Sequence, residues 1–512
     1  MEISMELQGD TPSNEETGPE NRSAGEGEGA DLASMIREIT ALRDAIGVDA
    51  TRLLEGYGIT AAAPEIDNLA HYVALRHHDI RFLQRRLMRH GLSSLGRLES
   101  RVMPTLDAVL AALSAMTGQK QDGSFRSEME FFAGERRLEE ASAGLFGPKP
   151  EHRRGRIMVT FPSEAADDPA FVRDLVRKGM NVARLNCAHD GPEAWEKMAA
   201  HVRTAAELEG RDVRILMDIA GPKIRTETVV PQKKTPKLTI GERFRLVVQE
   251  TPDAHSDIAV TASVSLPQMV NRLREGDRLL YDDSKLEGVV EEVSNGEAVI
   301  RVTRAKDSGV KIKPQKGINL PDTALGVSPL TAKDKTDLKT VTALADMVGY
   351  SFVSEPDDID LLEEALASIG AANHPLGIVA KIERPEAVQN LPALIARASG
   401  TRPLAIMIAR GDLASEIGFE RLAEMQEEIL WICEAASTPV IWATQVLESL
   451  VKFGSPSRGD MTDAAMAARA ECVMLNKGPA VGEAVQLLDR LVSRMEGHMA
   501  KKTPTLRALH SW

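Results

Sequence analysis

Several short apolar runs in this 512-residue chain end in side chains able to do chemistry. Arg184 and Asn186 close the run 181–186, Asp218 lies at the end of 213–219, and Ser351 at the end of 346–352. Lys381 and Glu383 end the run 377–383 two residues apart, so on a strand they share one face. Arg410-Gly411-Asp412 follows 404–409, and Thr444 ends 439–444. Glu383 and Asp412 are hard oxygen donors suited to one Mg²⁺, or Mn²⁺ in its place, with the remaining positions open to water or substrate oxygens. Lys381 and Arg184 bring fixed positive charge, which suits a phosphate and a developing enolate. The set reads as metal-assisted phosphoryl transfer or enolate chemistry. Any one of these charges could equally form a rim salt bridge. The functional reading rests on convergence, with five groups of both signs (Arg184, Asp218, Lys381, Glu383, Asp412) coming from four strands.

Something must bring those ends together. Eight short apolar runs, at 156–161, 181–186, 213–219, 346–352, 377–383, 404–409, 439–444 and 472–477, alternate with amphipathic stretches from residue 156 onward. Continuous apolar strands each followed by a helix imply a parallel sheet buried on both faces, and eight units imply a (β/α)8 TIM barrel, whose C-terminal strand ends carry the chemistry. A gap of about 125 residues separates the third and fourth runs. It holds strand-like runs at 245–249, 278–281 and 298–302, the last preceded by the hairpin signal Ser294-Asn295-Gly296. A small β domain inserted at 227–318 would sit over the mouth as a lid, leaving 150–226 and 319–505 to the barrel.

The first 30 residues hold eight acidic side chains and one Arg, are rich in Gly, Ser and Pro, and are expected to be disordered. Residues 31–145 read as a helical N-terminal region. Leu32, Met35, Ile36, Ile39, Leu42 and Ile46 recur at helical steps, Leu69, Val73, Ile80, Leu83 and Leu87 mark one face of a second helix, and 102–113 a third. The second carries Arg76, Arg81, Arg85, Arg86 and Arg89, either a solvated face or a contact for an acidic partner or another protomer. Residues 118–150, ending in Gly147-Pro148, read as linker. Lys and Arg total 62 against 76 Asp and Glu, a net charge of −14, which argues against nucleic acid or a membrane surface as partner. Cys187, Cys433 and Cys472 form no CxxC pair, so a reducing, cytoplasmic location is expected. No phosphate-cradling glycine loop of the familiar kinds follows a strand, so a nucleotide must be held in another way.

Seven motifs in order carry a family resemblance: Met180-Asn-Val-Ala-Arg-Leu-Asn186, Gly221-Pro-Lys-Ile-Arg-Thr226, Tyr281-Asp-Asp283, Lys316-Gly-Ile-Asn-Leu-Pro321, Ala380-Lys-Ile-Glu383, Ala409-Arg-Gly-Asp-Leu413 and Trp442-Ala-Thr-Gln-Val-Leu-Glu-Ser449. The chain resembles pyruvate kinase over about residues 156–495. The resemblance implies transfer of phosphate from phosphoenolpyruvate to ADP, giving pyruvate and ATP. Glu383 and Asp412 would then bind Mg²⁺, Lys381 would stabilise the phosphoryl group in flight, and Arg184 would hold the substrate phosphate. The backbone at Ala409, Arg410 and Gly411 would receive the substrate carboxylate, with Ser351 beside the substrate and Thr444 on the face where the enolate is protonated. Arg225 and Lys316 would reach the nucleotide phosphates with Asn186 and His189 nearby, and the lid residues Asp282 and Asp283 would close over the nucleotide.

Departures from the family pattern are also legible. The family's monovalent-cation site draws on an Asn, a Ser, an Asp and a Thr. Here Asn186 and Asp218 remain, but Ala188 and Ile219 supply no side-chain oxygen, and Lys223 stands where potassium-dependent members have Glu. Lys223, near Asp218, is therefore expected to replace K⁺ by its own ammonium, so that K⁺ is not required. The strand 8 segment Leu475-Asn-Lys-Gly-Pro-Ala480 differs from the family's run, leaving Lys477 as either an added cation or a salt-bridge partner. The resemblance ends near residue 495 without the family's usual C-terminal domain, so classical sugar-phosphate activation is not expected. The extra N-terminal helices would either make a homo-oligomer or bind a regulator. Two other functions fit the residues less fully: a metal-dependent lyase or aldolase acting on pyruvate-like enolates, and a degenerate barrel kept as a regulatory binding module.

Overall fold

The computed structural model describes residues 24–119, 126–232, 236–255, 257–323 and 326–504. Eight parallel strands close a barrel: β1 (Arg156–Thr160), β2 (Val182–Asn186), β3 (Arg214–Asp218), β4 (Met347–Tyr350), β5 (Gly377–Ile382), β6 (Leu404–Ala409), β7 (Val440–Ala443) and β8 (Cys472–Leu475). Each pairs with its sequence neighbours, and β8 closes on β1 with Arg156 opposite Cys472. Nearly every strand residue is buried, as expected where helices cover the outside and side chains fill the inside. Register sets the mouth, because Asn186 lies beside Asp218, and Asp218 beside Gly349. A Cβ at 349 would stand 2.7 Å from the Asp218 carboxylate, so glycine there makes room for the acid.

Between β3 and β4 a seven-stranded sheet forms an inserted β domain around its own apolar core, which includes Phe244, Leu279 and Ile300. Its strands run from Thr226–Pro231 to Ile318–Asn319. The strands Leu286–Ser294 and Glu297–Ala305 form the expected hairpin, with Asn295 and Gly296 both left-handed at φ 48° and 80°.

The N-terminal region is helical, with four corrections. Helix α1 (Ala24–Gly56) begins before residue 31, so of the expected disordered tail only 1–23 fall outside the described residues. The arginine-rich segment is two helices, α2 (Pro64–Arg76) and α3 (Arg81–Arg89), broken at 77–80. Its charges are not all free, since Arg86 binds Asp31 and Glu38 of α1 and Arg81 binds Asp79. After α4 (Val102–Met116), the stretch read as linker contains α5 (Glu128–Phe131) and α6 (Ala133–Phe146). Helix α6 ends in Leu145 and Phe146, which pack with Met158, Leu216, Met347 and Met407 inside the barrel and so plug its floor. A side chain at Gly377 would collide with Leu145 at 2.4 Å. The buried guanidinium of Arg156 donates to Gly147 O at 3.2 and 3.1 Å and fixes the end of the plug. Among the described residues no helix is long and apolar enough to cross a membrane.

Candidate active site

The mouth is organised around two buried acids, Asp218 and Glu383, the partly buried Asp412, and the cations on them. Asp218, at the end of β3, accepts from Arg184 Nε at 3.0 Å and faces Lys381 Nζ at 3.4 Å. Burial opposes its ionisation, but Lys381 and Arg184 together hold the carboxyl below the usual aspartate range. Arg184 also donates to Thr160 Oγ1 at 3.1 Å. Lys381 Nζ lies 2.8 Å from Glu383 Oε1 and donates to Ser351 Oγ at 2.7 Å. Burial alone would lower its pKa, yet Asp218 and Glu383 raise it, so the ammonium stays charged. Ser351 passes the network on to Ile219 O at 2.8 Å.

Glu383 and Asp412 stand within each other's field. Burial raises the Glu383 pKa, with Lys381 opposing and Asp412 adding to the rise. For Asp412 the Lys223 ammonium, 2.6 Å from Oδ1, outweighs burial and lowers the pKa. The second oxygen of Glu383 accepts the Phe352 amide at 2.7 Å, and Phe352 holds a left-handed φ of 60°. Among the described residues no group of three or more His, Cys, Asp or Glu side chains could cage a metal. Two mutually repelling carboxylates, one buried and one partly buried, each beside an ammonium, are nonetheless a donor set that fits a divalent ion sharing its shell with substrate oxygens.

The rest of the wall comes from β6 and β7. Thr444, left-handed at φ 66°, accepts the Gly411 amide on Oγ1 at 2.9 Å. The Arg410 side chain turns into the wall. It donates to Ala443 O at 2.9 Å and Asp463 Oδ2 at 2.9 Å, and lies over the Trp442 ring at 4.9 Å, so only its backbone faces the mouth. The expected neighbourhood of Lys223 needs correcting, because its partner is Asp412 while Asp218 is held by Arg184 and Lys381.

The nucleotide candidates form a looser rim. The Asn186 side chain accepts the Ala188 amide at 3.0 Å and shapes the turn carrying His189. Arg225 immediately precedes the first strand of the inserted domain and donates to Gln315 O at 3.3 Å. Lys316 Nζ is 3.1 Å from Asp282 Oδ1, and Asp283 contributes to the field on Lys223. Burial lowers the His189 pKa, and the charges of Lys477, Arg225 and Arg184 lower it further. Lys477 has no ion-pair partner among the described residues and lines a 530 Å³ cavity that also holds Ser163, Phe171 and the carboxylates Glu164 and Asp168. Sequence reasoning missed Asp334, whose Oδ1 accepts the Gly221 amide at 3.3 Å and steadies the Gly-Pro-Lys turn. The capping-box spacing Thr331-x-x-Asp334 was the available signal.

The family model for the pyruvate kinase barrel domain matches residues 152–485. The chain belongs to the pyruvate kinase family. It is 32% identical over 360 residues to a pyruvate kinase of Mycobacterium tuberculosis, covering 69% of this chain and 72% of that protein. It is 33% identical over 351 residues to a pyruvate kinase of Methylorubrum extorquens, covering 67% and 69%. The crystal structure of a pyruvate kinase from Cryptosporidium parvum matches with a TM-score of 0.61 at 27% identity, covering 70% of this chain and 73% of that one.

Proposed function

We propose that this chain transfers the phosphoryl group of phosphoenolpyruvate to ADP, giving pyruvate and ATP, with Mg²⁺ or Mn²⁺ at Glu383 and Asp412. The observation that carries the reading is the Asp218–Lys381–Glu383 chain of contacts, with Arg184 on one side and Asp412 on the other. The divalent ion, when bound, supplies charge neutralisation at the substrate oxygens. Lys381, kept protonated by its two acids, meets the negative charge of the moving phosphoryl group. Arg184 holds the phosphate before transfer. The Gly411 amide, which donates to Thr444 Oγ1 in the free protein, would pass to the substrate carboxylate on binding, and Thr444 lies where the enolate carbon takes its proton. Arg225, Lys316 and Lys477 form the cationic rim for the nucleotide phosphates, with Asn186, His189 and Asp283 around them.

Lys223 gives the site its own monovalent cation. Its ammonium on Asp412, in the field of Glu383 and Asp283, supplies the positive charge that K⁺ would otherwise bring, so turnover needs no K⁺. The test is ATP formation from phosphoenolpyruvate and ADP, with Mg²⁺ and with chelator, in K⁺-free buffer. Metal-dependent ATP formation without K⁺ is expected. Pyruvate released without ATP would favour the lyase reading, and a large activation by KCl would overturn the role of Lys223.

A further inference from the structure

Helix α3 turns a basic and apolar face to solvent on a chain whose net charge is −14. At about 3.6 residues per turn, Phe82, Arg85, Met88 and Arg89 fall within one arc of about 120°, opposite the buried Leu83 and Leu87. Phe82 is 73% and Met88 63% exposed, and around the helix they flank the arginines. The other arginines of α3 are paired, Arg81 with Asp79 and Arg86 with Asp31 and Glu38 of α1. Arg85 and Arg89 are exposed and have no side-chain partner among the described residues. Two large apolar groups around two unpaired cations make a surface that fits a segment both acidic and apolar.

The chain itself carries such a segment. Residues 1–23, outside the described residues, hold six acidic side chains and one Arg, and their large apolar residues, Met1, Ile3, Met5 and Leu7, all lie at the start. Glu2 and Glu6 recur at the interval that separates Arg85 from Arg89, and so do Ile3 and Leu7. The point of attachment is close to the face. Helix α1 begins at Ala24, and about 10 Å along it Asp31 accepts from Arg86 Nε at 2.9 Å and lies 3.3 Å from His90 Nε2. Residues 8–23 can span up to roughly 50 Å, against about 13 Å for the whole of α3, so Met1–Leu7 can reach every part of the face. Tethering gives such an occupant an effective concentration of order millimolar, which a separate acidic protein lacks, so a few exposed ion pairs and apolar contacts suffice. We propose that Met1–Leu7 dock on the outer face of α3, with Ile3 and Leu7 against Phe82 and Met88, and Glu2 and Glu6 on Arg85 and Arg89. This contact uses no residue of the mouth and goes beyond the phosphotransferase reading.

The experiment places the photocrosslinker p-benzoylphenylalanine at position 82 of the full chain and reads the crosslinked peptides by mass spectrometry. An equal mixture of isotopically light and heavy chains separates contacts within a chain from contacts between chains. Irradiation should join position 82 to residues 1–8 of the same chain, with a yield that falls in about 0.5 M NaCl. Arg85→Glu with Arg89→Glu, and separately Ile3→Asp with Leu7→Asp, should each lower that yield about fivefold or more in protein that still melts cooperatively. The second pair leaves α3 itself unchanged, so its effect does not come from damage to that helix. No crosslink to residues 1–8, or a yield that either pair leaves unchanged, would overturn the proposal. Crosslinks between light and heavy chains would assign the face to a second copy, and crosslinks to a co-purifying protein would assign it to a separate partner; either overturns docking within the chain. None of these readouts uses turnover, so their failure leaves the phosphotransferase reading untouched.

Discussion

The two ends of the barrel are built on opposite principles. At the floor, Leu145 and Phe146 close the interior with apolar surface, and Gly377 is bare to admit them. At the mouth, Asp218 and Glu383 are buried and Lys381 and Asp412 largely so within one network, and the backbone is left-handed at Phe352 and Thr444. Burying charges is weak evidence for stability, and left-handed non-glycine residues cost energy. The floor therefore supplies stability, and the mouth spends some of it on positioning. Substitutions at the two ends should separate accordingly.

The largest effect is expected at the mouth. Lys381→Met removes the cation between Asp218 and Glu383, and turnover should fall by about 10³-fold or more while the protein still melts cooperatively. Loss of folding without a folded, inactive species would blur the contrast. Leu145→Ala should do the reverse, costing about 2–5 kcal/mol in urea unfolding through the cavity it leaves, with the KM for phosphoenolpyruvate little changed. Lys223→Glu should leave folding intact and make turnover depend on KCl, with activation of about tenfold. Indifference to KCl in both forms would separate Lys223 from the cation role.

The smallest effect lies at Glu434, on the helix Phe419–Ala435 at the floor end of the barrel. Burial pushes the Glu434 carboxyl up to about 7, with Lys501 and Lys502 opposing and Glu99 and Glu471 adding to the rise. A carboxyl whose folded pKa is raised favours folding while protonated. Its contribution is fully present below the unfolded value near 4.5 and is lost as pH climbs through about 7. Glu434→Gln should therefore stabilise the protein by about 1 kcal/mol at pH 8 and not at pH 4.5. Equal melting shifts at both pH values would contradict this.

Much of the mouth was legible because barrel strands buried on both faces are short apolar runs, and the residues that end them share one rim. Lys381 and Glu383 are two apart in sequence, so their common face follows from strand geometry. The partner of Lys223 was not legible, since Asp412 lies 189 residues away and only the closed barrel brings it within 2.6 Å. The floor was harder to read. Gly147-Pro148 signals a chain break, which hid the fact that the two residues just before it plug the barrel. The apolar spacing of Leu69 to Leu87 continues across 77–80, so two helices read as one.

The central claim is that the phosphorus leaving phosphoenolpyruvate arrives on ADP at this mouth. Phosphorus-31 NMR of the protein with phosphoenolpyruvate, ADP and Mg²⁺ follows that atom directly. The account predicts loss of the phosphoenolpyruvate resonance with matching growth of the ATP γ-phosphate, abolished in Lys381→Met. Growth of inorganic phosphate instead, or an unchanged phosphoenolpyruvate resonance, would contradict it.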